Sequence, residues 1–261
     1  RHGALPSART KNAGKQLVHF AAQRGFCEIL STLYFDYHVD FEARIHNSLQ
    51  PVHMAMYNGC EVLQLFFDWG LPVFDSSTDD GWRPIHYACF HGNIKAVEFL
   101  HAIDCDMSVQ TYDGCTPLHI AVSNSHLEIV KFYNKINLVH ENPLLDIRFG
   151  AIEFHGMHLI HLACLAAENS VKSLVCYLHE QCGFSLQMED EDKCTPIHYA
   201  SASGTTELVK YICEGTAFKF STNNGGFGPS HYAEAMLISL AGKLPNDLEQ
   251  NYRDIITMFD A

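Results

Sequence analysis

The sequence has 261 residues, of which 47% are hydrophobic, and a formal net charge of −13 at neutral pH. A chain this apolar is not disordered, and its negative charge disfavours binding to nucleic acid or to anionic lipid. No apolar run is long enough to predict a membrane span, and no signal peptide is recognised. Residues 1–50 carry six Lys and Arg against four Asp and Glu, and the remainder carries eleven against twenty-six. This acidity favours a basic protein or peptide as the partner.

A short motif that contains His-x-Ala recurs along the chain at nearly constant intervals. It first appears as QLVHFA at residues 16–21, returns as TPLHIA at 116–121, and is still recognisable as GPSHYA at 228–233. Successive histidines are separated by 34, 33, 33, 42, 37 and 33 residues. A period near this length is typical of stacked structural repeats. The histidines are His19, His53, His86, His119, His161, His198 and His231.

The repetition of the histidine favours a structural role over a catalytic one, since a general base is needed only once. Each ring stands three residues after the expected start of a short helix, within reach of backbone groups in its own turn and in the neighbouring unit. A neutral imidazole can accept one hydrogen bond and donate another. We therefore expect all seven rings to be buried and to hold the repeats together.

Residues 113–133 show how one repeat is organised. Asp113-Gly114 is a strong turn signal, Thr116 is a good helix N-cap, and Pro117 suits the first helical position. A short helix must end near Ser125, because other copies carry a glycine at this place. The apolar pattern of HLEIVKFY at residues 126–133 predicts a longer second helix. One such unit cannot bury its apolar face alone, whereas stacked units can.

These units resemble ankyrin repeats, on the strength of TPLHIA at 116–121 and TPIHYA at 195–200, with GNIKAVEFL and SHLEIVKFY as second helices. The resemblance covers roughly residues 15–260. It implies an all-α solenoid of about seven helix-turn-helix units with β-hairpin fingers and a concave surface that binds other proteins. The expected divisions are an N-terminal tail at 1–14 and units at 15–47, 48–77, 78–110, 111–153, 154–189, 190–222 and 223–261, the last with a closing helix.

Several copies depart from the pattern. The first lacks Thr and Pro, as expected of an end unit, and Lys15, Gln23 and Arg24 are its expected solvating residues. The last runs into a closing helix after Pro245. About nine extra residues within 133–157 predict an extended finger or loop, either a functional insertion or drift in a tolerant loop. About four extra residues near LAAENS, at 165–170, favour drift.

No catalytic or cofactor motif is present, so we expect neither an enzyme nor a bound cofactor. His155, His158, His161 and Cys164 are spaced three apart, which suggests zinc, but they cannot share one helical face, and no metal is expected. The ten cysteines lie in helical patterns and suggest buried reduced thiols in a cytoplasmic protein. A monomer is expected.

The resemblance also implies which positions carry recognition, namely the finger tips and the exposed side of the short helices. We expect non-catalytic binding of a protein or peptide, with exposed aromatic residues as anchors. The alternative is the regulatory or substrate-docking arm of a larger enzyme or channel, which an initial Arg1 in place of Met would permit. The expected partner-binding residues are Tyr57, Asn58, Trp69, Asp79, Asp80, Trp82, Phe90, His91, Tyr112 and Asn124.

Overall fold

The computed structural model describes residues 7–10, 14–57, 60–141, 143–149, 152–166, 171–215 and 221–260. These residues form a mostly helical fold with a single two-stranded sheet, which confirms the predicted fold class. The elements are α1 Leu17–Arg24, α2 Cys27–Phe35, α3 Pro51–Ala55, α4 Cys60–Asp68, α5 Pro84–Phe90, α6 Ile94–Ala102, α7 Pro117–Ser123, α8 Leu127–Lys135, β1 Leu145–Phe149, β2 Ile152–Met157, α9 Leu159–Leu165, α10 Val171–Glu180, α11 Pro196–Ser203, α12 Thr206–Gly215, α13 Pro229–Ser239 and α14 Asn246–Asp260.

Helices pair in chain order, a short one followed by a longer one in most repeats. Pro51, Pro84 and Pro196 open short helices at a position that needs no backbone donor. Gly204 ends α11 with a φ of 73°, in the left-handed region that favours glycine. Each predicted range between 15 and 261 contains one helix pair, although β2 crosses the predicted division between 153 and 154. The exact boundaries stay a prediction.

All seven repeat histidines are hydrogen-bonded at Nδ1, and four of them are also bonded at Nε2. In all seven repeats Nδ1 accepts the backbone N–H of the residue three positions earlier, at 2.9–3.3 Å. In four of them Nε2 donates to a carbonyl oxygen further along the chain. The acceptors are Ala43 for His19, Ser76 for His53, Val109 for His86 and Met188 for His161.

Burial favours the neutral form of five of these rings, and it outweighs their backbone hydrogen bonds, which raise the pKa. Desolvation lowers the pKa of His53, His86, His161 and His198 to about 4 in each case. It also lowers the pKa of His19. His231 differs from the other six because its side chain is exposed, so the expectation of burial is wrong for the last copy. Its ring still accepts the Gly228 N–H at 3.2 Å.

The chain divides into two compact units, residues 1–121 and 122–261. In the first unit, α1 packs on α3 and α3 on α5, while α2 packs on α4 and α4 on α6. The core is built mainly from small and aliphatic residues of these helices, including Val18, Ala55, Leu63 and Val97, all of them fully buried. Stacking therefore buries the apolar face that a single pair leaves open.

In the second unit, the long insertion forms an antiparallel hairpin of β1 and β2. The prediction of an extended finger is thus confirmed, although whether the insertion is functional stays open. Phe154 of β2 is buried and stacks on Tyr199, with ring centroids 4.1 Å apart. The predicted closing helix is α14, which packs on α12 and α13. Its Ile255 is fully buried, and its Tyr252 hydroxyl donates to the Ala202 carbonyl at 2.9 Å.

Candidate protein-recognition surface

The finger tips of the first unit are tight turns closed by a polar residue. Thr78 donates its N–H to the Trp82 carbonyl at 2.9 Å, and its hydroxyl oxygen accepts the Trp82 N–H at 3.1 Å. Thr111 makes the same two bonds with Cys115. The Thr hydroxyl thus satisfies a donor that the tight turn leaves unpaired. As a result, residues 79–81 are held at the tip of the finger.

Adjacent tips of the first unit are joined by hydrogen bonds. The Asn47 Nδ2 donates to the Asp80 carboxylate at 2.8 Å, and the Ser48 hydroxyl donates to the Asp79 carboxylate at 2.6 Å. On the other side, Tyr112 donates its N–H to the Asp80 carbonyl at 3.2 Å. Both aspartates are exposed. The tips therefore present fixed carboxylates rather than mobile ones.

Aromatic side chains gather beside these tips, where the finger passes into α5. The Trp82 ring lies 5.2 Å from the Tyr87 ring and 5.9 Å from the Phe90 ring. Phe90 in turn lies 5.1 Å from His91, which lies 4.9 Å from Tyr57 at the end of α3. We call these five residues the aromatic cluster. It joins two successive repeats.

Comparison with known proteins agrees with the repeat geometry. The family model described as Ankyrin repeats (3 copies) matches residues 18–111, 52–142 and 159–238. The chain belongs to the ankyrin repeat family. Among solved structures it is similar to the human ASB11 ankyrin repeat domain, with 22% identity and a TM-score of 0.63 over 92% of this chain and 98% of that one. Comparison with individual curated proteins by sequence gave no match.

Ankyrin repeats generally mediate protein–protein interactions and are typically not catalytic. The described residues contain no group of three or more His, Cys, Asp and Glu side chains that could hold a metal ion. Both nitrogens of His161, one of the weighed zinc ligands, are occupied by backbone groups. In the part of the chain that the structure describes, no helix combines the length and the apolar character needed to cross a bilayer.

The structure brings most of the predicted recognition residues of this ankyrin domain together. Trp82, Phe90, His91 and Tyr57 lie in the aromatic cluster, and Asp79 and Asp80 lie on the finger that carries Trp82. Tyr112 projects from the next tip and is 77% exposed. A Cβ added at Gly81 would lie 2.9 Å from the Tyr112 backbone nitrogen, so the two tips are in close contact.

Two predicted residues, Trp69 and Asn124, lie elsewhere. Trp69 stacks on Tyr34 with ring centroids 4.3 Å apart and an interplanar angle of 4°, and it also contacts Phe35 and Phe41. It is therefore half-buried in a separate aromatic group at the ends of α2 and α4. Asn124, also half-buried, belongs to the second unit. Asn58 is outside the described residues.

Sequence reasoning missed Tyr87, the member of the aromatic cluster that contacts Trp82 most closely. Burial raises the pKa of Tyr87, and the nearby Asp80 carboxylate contributes in the same direction. A sequence signal for it exists, since Tyr87 follows the repeat histidine directly and its ring packs edge-on against His53 of the preceding repeat at 5.3 Å. The residue after a repeat histidine is thus placed to contact the histidine of the preceding repeat.

Proposed function

We propose that this ankyrin domain recognises a protein segment on the aromatic cluster and the adjacent finger tips of its first unit. The segment is basic and carries at least one large apolar side chain. No reaction takes place on this surface. The observation that carries the proposal is the combination of exposed, mutually packed aromatic rings with fixed carboxylates one turn away in the same repeat.

The apolar part of the proposal rests on exposure. Phe90 is 46% exposed and Tyr57 is 52% exposed, although each ring contacts other rings of the cluster. Aromatic side chains held in this way lose little conformational freedom when a partner covers them. They contribute most to binding when they lie near the centre of a contact that excludes water.

The charged part of the proposal rests on Asp79 and Asp80. Their carboxylates accept hydrogen bonds from neutral Asn47 and Ser48, so these contacts leave their negative charge uncompensated. The chain as a whole carries a net charge of −13, which attracts a basic partner over longer distances. A lysine or arginine of the partner would pair with these carboxylates at the edge of the aromatic contact.

The test is a selection of peptides from a displayed random library on the intact domain at low salt. Selected peptides should combine Lys or Arg with a large apolar residue. Replacing Trp82 and Phe90 together by Ala should weaken their binding at least about 30-fold, which corresponds to about 2 kcal/mol. Replacing Asp79 and Asp80 by Asn should weaken binding less and reduce its dependence on salt.

Phe67→Ala is the matched control, because Phe67 is 48% exposed but lies on α4 and contacts Phe74 and Phe99 instead of the cluster. It should leave peptide binding unchanged. Circular dichroism and gel filtration establish that each variant is folded. If the selected peptides bind the double variant as tightly as the unchanged domain, the anchors lie elsewhere and the proposal is wrong.

We also propose that the protein works in a reducing compartment, as the sequence predicts for the cytoplasm. All ten cysteines are free thiols in the structure, and Cys89 and Cys164 are fully buried. Burial raises the pKa of Cys194 to about 11, so this thiol is protonated at neutral pH. Alkylation of the native protein with a thiol reagent, with and without prior reduction, would reveal any disulfide.

A further inference from the structure

The outward side of the first helix pair is apolar. Leu17 and Phe20 of α1 and Ile29 of α2 are 45%, 41% and 40% exposed and line one depression of about 630 Å³. We call these three residues the N-terminal face. The sequence predicts an end unit with a polar outer side at this place, and the structure corrects that expectation. Of the expected solvating residues, only Lys15 lines the depression.

The position of Ile29 is buried where a preceding repeat is present within a unit. Ile29 stands ten residues after its histidine, as do Leu63, Ala96 and Leu208 after theirs. Those three residues are 0% exposed, because the second helix of the preceding pair packs against the second helix that carries them. Ile29 is thus an interior residue type at an uncovered position.

The residue after the histidine shows which contact the face lacks. Tyr87 packs on His53, Tyr199 on His161 and Tyr232 on His198, with ring centroids 4.8–5.3 Å apart, and each histidine belongs to the preceding repeat. Phe20 is the corresponding residue of the first repeat. Its described ring contact is a cation–π contact with Lys15, whose Nζ lies 5.6 Å from the ring centroid. An imidazole would occupy this place in an interior repeat.

The backbone ahead of the N-terminal face also follows the interior pattern. His53 donates to the carbonyl of Ser76, two residues before the finger residue Thr78. His86 donates to Val109, which is likewise two residues before Thr111. Thr10 opens the first finger by donating its N–H to the Lys15 carbonyl at 2.9 Å. Ala8 is two residues before Thr10 and lines the same depression, so it corresponds in the chain to the acceptor residues Ser76 and Val109.

We infer that the N-terminal face is the interface for a further helix pair of the ankyrin type, contributed by the same polypeptide ahead of the first finger. The histidine of that pair packs on Phe20 and donates to the Ala8 carbonyl. The inference rests on the likeness between the N-terminal face and the surfaces through which successive repeats pack inside each unit. A source in the same polypeptide follows from the finger, since interior fingers receive the chain from the preceding second helix.

The experiment joins a copy of residues 46–75 directly to Ala8. In this fusion Ala8 follows the copied Asp75 as Ser76 does in the natural chain, so the junction has the length of an interior one. This fusion should raise the midpoint of thermal unfolding by about 5 °C, because the added helix pair buries the N-terminal face and its histidine adds a ring contact with Phe20. Amide hydrogen exchange in α1 and α2 should slow at least tenfold. Two matched fusions serve as controls: one has the copied histidine changed to Ala, and the other carries Ile29→Lys. Both should lose most of the gain.

Exchange in α11 and α12 provides an internal standard, because these helices lie in the other unit and show whether every protein is folded. An unchanged midpoint together with unchanged exchange in α1 and α2 would overturn the inference. Light scattering on the domain without the fusion tests whether a second copy of the chain covers the N-terminal face instead. A dimer that Ile29→Lys converts to a monomer would show that the face binds a second copy, and would overturn the inference as well.

Discussion

Acid should destabilise this protein through its buried histidines well before most carboxylates are protonated. The pKa of His53, His86, His161 and His198 is about 4 in the folded protein, against about 6.5 in the unfolded chain. Between these values the unfolded chain binds more protons than the folded one. The free energy of unfolding therefore falls as the pH drops below about 6.5, and the loss levels off below about pH 4.

The size of the effect follows from the two pKa values. At pH 5 an unfolded histidine is almost fully protonated while a folded one is mostly neutral, so each ring costs about 2 kcal/mol relative to pH 7.5. Each compact unit holds two of the four histidines, which makes about 4 kcal/mol per unit. This is a large share of the roughly 5–15 kcal/mol that stabilises a typical domain.

Urea unfolding followed by circular dichroism at pH 7.5, 6.5, 5.5 and 5.0 measures the loss. His86→Gln should be less stable at pH 7.5 but should lose about 2 kcal/mol less between pH 7.5 and 5. His155→Gln is the control, because His155 is exposed and its hydrogen bond with Asp192 raises its pKa instead. Equal urea midpoints at pH 7.5 and 5.0 would refute the reasoning and show that the rings are not held neutral.

Two further substitutions test buried contacts and tight turns. Asp190→Ala should lower the free energy of unfolding in urea by about 3 kcal/mol, because it leaves the Tyr199 hydroxyl and two backbone N–H groups without their acceptor. Asp190→Asn should cost less than half as much, and equal costs for the two variants would contradict this account. Gly81→Ala should lower the midpoint of thermal unfolding more than Gly114→Ala. Both glycines have a positive φ, but only a Cβ at residue 81 would meet Tyr112. Equal shifts would show that the two finger tips separate freely.

Most residues of the aromatic cluster could be predicted from the sequence, but their contacts could not. Trp82, Phe90, His91 and Tyr57 were predictable because a repeat register assigns every residue a place relative to the histidine. Trp69 has an equally clear place in the register, yet the structure turns its ring onto Tyr34. The position of the Trp69 ring depends on its rotamer and on the neighbouring repeat, and the local sequence pattern predicts neither.

The helix pairs of this chain are determined by local features of its sequence. Proline at the first helical position, glycine in the left-handed region and histidine three residues after the helix start act within a few residues, so their spacing predicts the helix pairs and the fold family. Which faces are covered was decided by tertiary structure. The outer side of α1 and α2 carries apolar residues of the kind found between repeats, yet the structure leaves Leu17, Phe20 and Ile29 45%, 41% and 40% exposed. Burial depends on what the neighbouring element contributes, and the periodicity of one repeat carries no information about its neighbour.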